Sequence, residues 1–278
     1  MKVSRATVFL IFKYAVYALL TLNVYLFGRE EYLAAQLQFS DGITLINFIE
    51  AYAATIDTAA WVVLLLMFEL ETYVLEDRHF TPGVTRTLHG VRIFCYAFIV
   101  YAFYGYVVNV VFAYDVTALN NLKNVCALAS EQWSYAVDLD EYAAITRDNC
   151  TTFTNNVPLI QFGKLPAVVD APGLLDIQRL AWVDAINAIV WILVVILLEI
   201  DVRLQERGKF EGFALRASTA AKIVLYSILM IAAIYWGFKG DFVDFWDAFL
   251  WLLAFFFIEM NVVEWREEVR QEQQANSV

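Results

Sequence analysis

Charge, histidine, proline and glycine are all scarce in this sequence, and each shortage closes a class of explanation. Charged residues are 18% of 278 while hydrophobic residues are 61%, which lies outside the range of soluble globular domains. The formal net charge is −11, so a nucleic-acid partner is not expected. Only two histidines occur, His79 and His89, both in a hydrophilic connection. The apolar segments therefore supply neither a bis-histidine haem pair nor a histidine proton relay. The chain has no Walker-type phosphate loop, no zinc-protease motif and no G-x-S-x-G elbow, so no catalytic constellation, cofactor or metal site is expected and the chain reads as a non-enzyme. All four prolines fall outside the long apolar runs. Continuous spans weigh against the broken-helix architecture common in alternating-access transporters. No run carries an arginine at every third position, which excludes a voltage-sensor helix.

What is abundant is apolar sequence in long blocks. An apolar helix of about 20 residues spans a bilayer core. Six blocks qualify: Ala6–Phe27, Ala51–Phe68, Val91–Phe112, Ala181–Leu198, Ala220–Phe238 and Phe242–Ile258, the second interrupted by Asp57. The first follows MKVSR but is too long for a signal core and lacks a nearby cleavage site, so it reads as an uncleaved span. Lys2, Arg5, Arg78, Arg86, Arg203, Arg207, Lys209, Arg216, Arg266 and Arg270 share one side of a six-span layout, against Arg29 and Lys239 in the short connections opposite. That asymmetry places both termini in the cytoplasm, with a bacterial inner or plasma membrane as the expected location.

One large segment, 116–172, lies outside the spans, on the outer side. Pro158, Pro166, Pro172 and its Asn pairs suggest compact irregular structure with one or two short helices. From Asp115 to Arg179 there are eight acids against four bases, a face that disfavours anions and concentrates cations. Cys126 and Cys150 both belong to it and form a candidate disulfide, while Cys95 sits within the third span as packing. The connection 29–41 reads as a short outer turn. The second helix is expected to run from an N-cap at Ser40 towards Arg78, with a tilt or break near Glu50, and Thr81-Pro82-Gly83 to end it in a turn.

The chain repeats itself. Asp57, Trp61 and Glu69 recur as Asn187, Trp191 and Glu199, and again as Asp247, Trp251 and Glu259. The preceding helices repeat too: Lys13 and Tyr17, Arg92 and Tyr96, Lys222 and Tyr226. The fold class expected is an all-α polytopic membrane protein of six helices, built as three tandem hairpins with a pseudo-threefold repeat: 1–80, 81–210 and 211–278.

Base and acid of each hairpin come to one level, so Lys13–Glu69, Arg92–Glu199 and Lys222–Glu259 are expected ion pairs in an inner ring. Asp57, Asn187 and Asp247, about 18 Å further along their helices, with Asp184 and Asp244, are expected to line an outer polar cavity. Ionisable residues inside spans are costly and often functional. The expectation is an ion channel or transporter facing small cations, oligomeric or joined to a membrane partner in the lipid bilayer. The alternative is a membrane scaffold or accessory subunit whose outer loop docks a partner.

Overall fold

In the computed structural model, residues 5–39, 42–44, 47–71, 81–120, 122, 124–129, 131–153, 158–207 and 212–275 are described, with side chains described outside 5–6, 205–206 and 259–275. The chain is mostly helical (75%). Its helices are α1 (Arg5–Gln38), α2 (Phe48–Ala51), α3 (Ala53–Glu69), α4 (Pro82–Phe112), α5 (Ala171–Glu206), α6 (Gly212–Lys239) and α7 (Phe242–Ala275). Four of them, α1, α4, α5 and α6, are long and apolar enough to cross a membrane. α4 leaves Ile93, Phe94, Val100 and Val111 exposed, the outward-apolar pattern of a helix whose solvent is lipid. The chain forms two compact units, residues 1–23 with 204–278 and residues 24–203.

α1, whose first part belongs to the smaller unit and whose residues from Val24 on belong to the larger, does not stop at Phe27. It continues through the expected turn to Gln38, 34 residues in all, or about 51 Å at the helical rise. Buried positions Val16, Tyr17, Leu20, Asn23, Phe27, Glu31, Ala34 and Ala35 recur every three or four residues, so one packed stripe runs past the charged residues. The next helix starts at Phe48; Ser40, the expected cap, lies outside the described residues, and 42–44 are not helical. A break falls at Tyr52 (φ −137°, ψ 37°) between α2 and α3, close to where one was expected. Thr81-Pro82 begins α4, while residues 72–80, towards which the second helix was expected to run, lie outside the described residues. The Thr81 hydroxyl accepts from Val84 N at 3.3 Å and Pro82 occupies the first turn, where its missing N–H costs nothing.

Gly105 of α4 lets that helix approach the break. A Cβ there would lie 2.9 Å from Ala53 Cβ and 3.1 Å from the Ile49 carbonyl oxygen, nearer than packed atoms tolerate. Gly105→Ala is expected to cost about 2 kcal/mol through overpacking, read as a lower unfolding midpoint in detergent. Gly90→Ala, on the same helix with nothing within 4 Å, should gain up to about 1 kcal/mol from helix propensity. Equal effects at both positions would refute the close-approach account.

The segment between α4 and α5 departs from expectation. Beside the expected short helix, in place of irregular chain, it forms a five-stranded sheet of β1 (Val116–Leu119), β2 (Ser134–Ala136), β3 (Tyr142–Ala144), β4 (Leu159–Phe162) and β5 (Ala167–Val169), in the order β1-β4-β5-β2-β3. Only the β2–β5 pairing is parallel. One 3₁₀ turn, Val125–Leu128, accompanies it. Central β5 is buried on both faces. Val169 joins Phe162, Ala136 and Leu139 against Val110 of α4 and Ile177, Ala181 and Ala185 of α5. Val168 faces a second core with Val125, Leu128, Ile145, Leu159 and Cys150. Cys150 is disulfide-bonded to Cys126, as expected.

Asp170 joins sheet to helix. It accepts from Gly173 N at 2.9 Å, capping α5, and from the Tyr135 hydroxyl at 3.3 Å. Burial and the Asp170 charge push the Tyr135 phenol up to about 12, so it remains a donor. In the smaller unit, α6 and α7 pack as a tight pair about the turn at Gly240 (φ +87°), a left-handed conformation that glycine adopts at little cost.

Candidate functional site

α1 presents three polar side chains on its buried stripe: Lys13 at 2% exposure, Asn23 at 0% and Glu31 at 7%. Their partners differ in kind. In the smaller unit, Asn23 Nδ2 donates to Asp247 Oδ1 of α7 at 2.7 Å. The Trp251 side chain, one turn along α7, hydrogen-bonds the same carboxyl. This provides a physical reason for the Asp-x-x-x-Trp spacing, since positions i and i+4 share a helix face. Both donors are neutral. The Asn23 Oδ1 atom is buried and has no hydrogen-bond partner among the described residues. At the start of α7, Asp241 Oδ1 accepts from Asp244 N at 3.3 Å, and burial holds the Asp241 carboxyl above its ordinary range.

In the larger unit, Glu31 serves the break at Tyr52. Its carboxylate accepts from Ala54 N at 2.7 Å, Thr55 N at 3.0 Å and Thr55 Oγ1 at 2.5 Å. Helix starts leave backbone N–H groups unpaired, usually for a local side chain to cap. Tyr52 offers no side-chain cap, so a carboxylate some 23 residues earlier fills the role. The regular ladder resumes with Ile56 N to Tyr52 O at 3.0 Å.

The expected cavity residues divide between the units. Asp57 on α3 and Asn187 and Asp184 on α5 belong to residues 24–203, and Asp247 and Asp244 to the other unit; all five are partly buried. Asn187 Oδ1, like that of Asn23, is buried without a hydrogen-bond partner among the described residues. Of the expected ring, Lys13 is buried with its ammonium 5.1 Å from the Tyr14 ring centre, and Glu69 is buried at 5% exposure.

The Arg92–Glu199 pair needs correction. Arg92 Nη2 lies 3.0 and 2.8 Å from the two carboxylate oxygens of Glu71, while Glu199 pairs with Arg203, one turn along its own helix, at 2.9 Å. Glu71 lies two residues past Glu69 of the repeat, and so offers Arg92 a carboxylate within the same hairpin partner stretch. Glu69 is buried whereas the Glu199 side chain is 54% exposed, so these two copies do not share an environment. Lys222 is partly buried on α6; its expected partner Glu259 lies outside the described side chains.

Sequence reading missed Asn23, Glu31 and Glu71. The signal for the first two was present: each falls on the three- and four-residue spacing of the buried stripe of α1. Glu71 had no such signal, because it stands outside the repeated positions. Among the described residues no three His, Cys, Asp or Glu side chains gather as a metal ligand set. The chain matches no protein-family model, and comparisons with characterised proteins and with solved structures likewise find no match.

Proposed function

We propose that the chain is an integral membrane ion channel or transporter that handles small cations, with six spans, three tandem hairpins and both termini in the cytoplasm. α3 and α7 supply the two spans beyond the four long apolar helices. The observation that carries the reading is the Asp247 carboxyl, set among apolar helices and held by two neutral donors, Asn23 and Trp251. A carboxylate removed from water is stable only when paired, cation-bound or protonated. Asp247 is therefore suited to take up positive charge from outside the chain. The break before α3 adds support, since discontinuous helices with a polar partner recur at transport sites.

A second reading, a scaffold or accessory subunit, is favoured by the sheet between α4 and α5, which has its own core and disulfide and thus a surface suited to docking a partner. Flux decides between them. In reconstituted vesicles the wild-type chain is expected to carry a cation current that Asp247→Asn lowers at least about tenfold, equivalent to about 1.4 kcal/mol. Wild-type vesicles without flux, or a variant as active as the wild type, would rule transport at Asp247 out.

A further inference from the structure

The unpartnered oxygen of Asn23 calls for an explanation. A buried acceptor without a donor is uncommon in folded proteins and costly. Here the side chain is fully buried, its nitrogen already donates to Asp247 Oδ1 at 2.7 Å, and its oxygen has no described partner. An amide suits a carboxyl group in either protonation state, because it carries both a donor and an acceptor. When Asp247 is ionised it accepts from the amide nitrogen. When Asp247 is protonated its O–H becomes a donor, and a half-turn of the amide brings the waiting oxygen to it. Lysine or arginine in the same place would serve the ionised form alone.

Two further carboxyls continue from this pair to the α6–α7 turn. Asp244 and Asp241 precede Asp247 by three and six residues, a spacing that keeps all three on one side of α7. Asp241 sits at the head of the helix, joined to the Asp244 backbone, and burial holds its carboxyl above the ordinary range. Other titratable groups on the packed elements are distinct. On α6, Tyr235 lies under the Lys239 ammonium at 5.8 Å, with Tyr226 and Lys222 towards the other end. On α1, Tyr17 and Lys13 lie about 9 and 15 Å along the helix from Asn23.

We infer that Asp247 is a proton-binding residue, with Asn23 as its two-state hydrogen-bond partner and Asp244 and Asp241 as the carboxyls that exchange its proton with water at the α6–α7 turn. The inference deepens the transport reading by naming the proton as the cation, and rests on that reading for the direction of travel. The step is an acid–base exchange alone: a proton leaves hydronium or water at the turn and forms the O–H bond on Asp247.

Infrared difference spectroscopy of the full chain in lipid, titrated from acid to alkaline pH, tests it directly. A carboxylic-acid C=O band is expected to disappear as pH rises, to be absent throughout in Asp247→Asn, and to change frequency in Asn23→Leu, which removes the amide. Should Asp247→Asn fail to fold, wild-type protein carrying isotope-labelled aspartate identifies the band by its mass shift, and Asn23→Leu still tests the pairing. The inference is overturned by a wild type with no titrating aspartate band, by titrating bands identical in the wild type and Asp247→Asn, or by bands indifferent to Asn23→Leu. A titrating band without vesicle flux leaves the proton site standing and removes transport. Flux without the band does the reverse.

Discussion

Glu31→Ala is expected to destabilise the chain by about 3 kcal/mol, from the cost of leaving buried donors unpaired. Three donors depend on that carboxylate: the backbone N–H groups of Ala54 and Thr55 and the Thr55 hydroxyl. In a continuous helix those two N–H groups would bond to the carbonyls of Glu50 and Ala51. The break at Tyr52 forfeits those bonds, so the carboxylate substitutes for a missing stretch of helix. Alanine supplies no acceptor at this buried position of the stripe. Glu31→Gln keeps one oxygen and should lose less, about 1 kcal/mol. The measurement is unfolding in detergent, paired with hydrogen exchange at Ala54 and Thr55. Faster exchange confined to the start of α3 is the local signature. An alanine variant as stable and as protected as the wild type would show that the break is held by something else.

Removal of the disulfide is the second large effect. Cys126 and Cys150 are 24 residues apart, and closing a loop of that size restricts the unfolded chain by about 3.5 kcal/mol on the chain-entropy model. Its consequence should be local. Cys150 is packed among Val125, Leu128, Ile145, Leu159 and Val168, on the face of the sheet away from Val110 and Ile177. Reduction, or the double substitution Cys126→Ala with Cys150→Ala, should speed proteolysis within 116–169 while the helical circular-dichroism signal stays unchanged. Equal protease resistance with and without reductant would show that the apolar core suffices. A parallel loss of helix would show that the sheet supports α4 and α5 more than it is supported by them.

Both effects involve residues that differ in how far their roles could be read from sequence. The disulfide was legible, because two cysteines stand in one hydrophilic segment. Glu31 was masked, because it follows Gly28, Arg29 and Glu30, a cluster that resembles a turn. What overrides that resemblance is the apolar spacing beyond it, at Ala34 and Ala35, which buries the next turn of α1 and carries Glu31 inward. The Arg92 partner is Glu71 and not Glu199, which pairs with Arg203 on its own helix.

Sequence alone determined the elements whose stability is local or is set by the solvent: the long apolar helices and the disulfide. Each depends on near neighbours, on hydropathy or on a reactive pair. Tertiary structure decided the rest. The strands hold three or four residues each, too few for an alternating pattern to register, and they exist because partners distant in sequence, such as β1 with β4, complete their hydrogen bonds. The clamp of Glu31 on α3 and the pairing of Asn23 with Asp247 likewise join residues 23 to 224 positions apart. A buried polar group must find a partner, but hydropathy does not say which one, and only the packing of helices brings the two together.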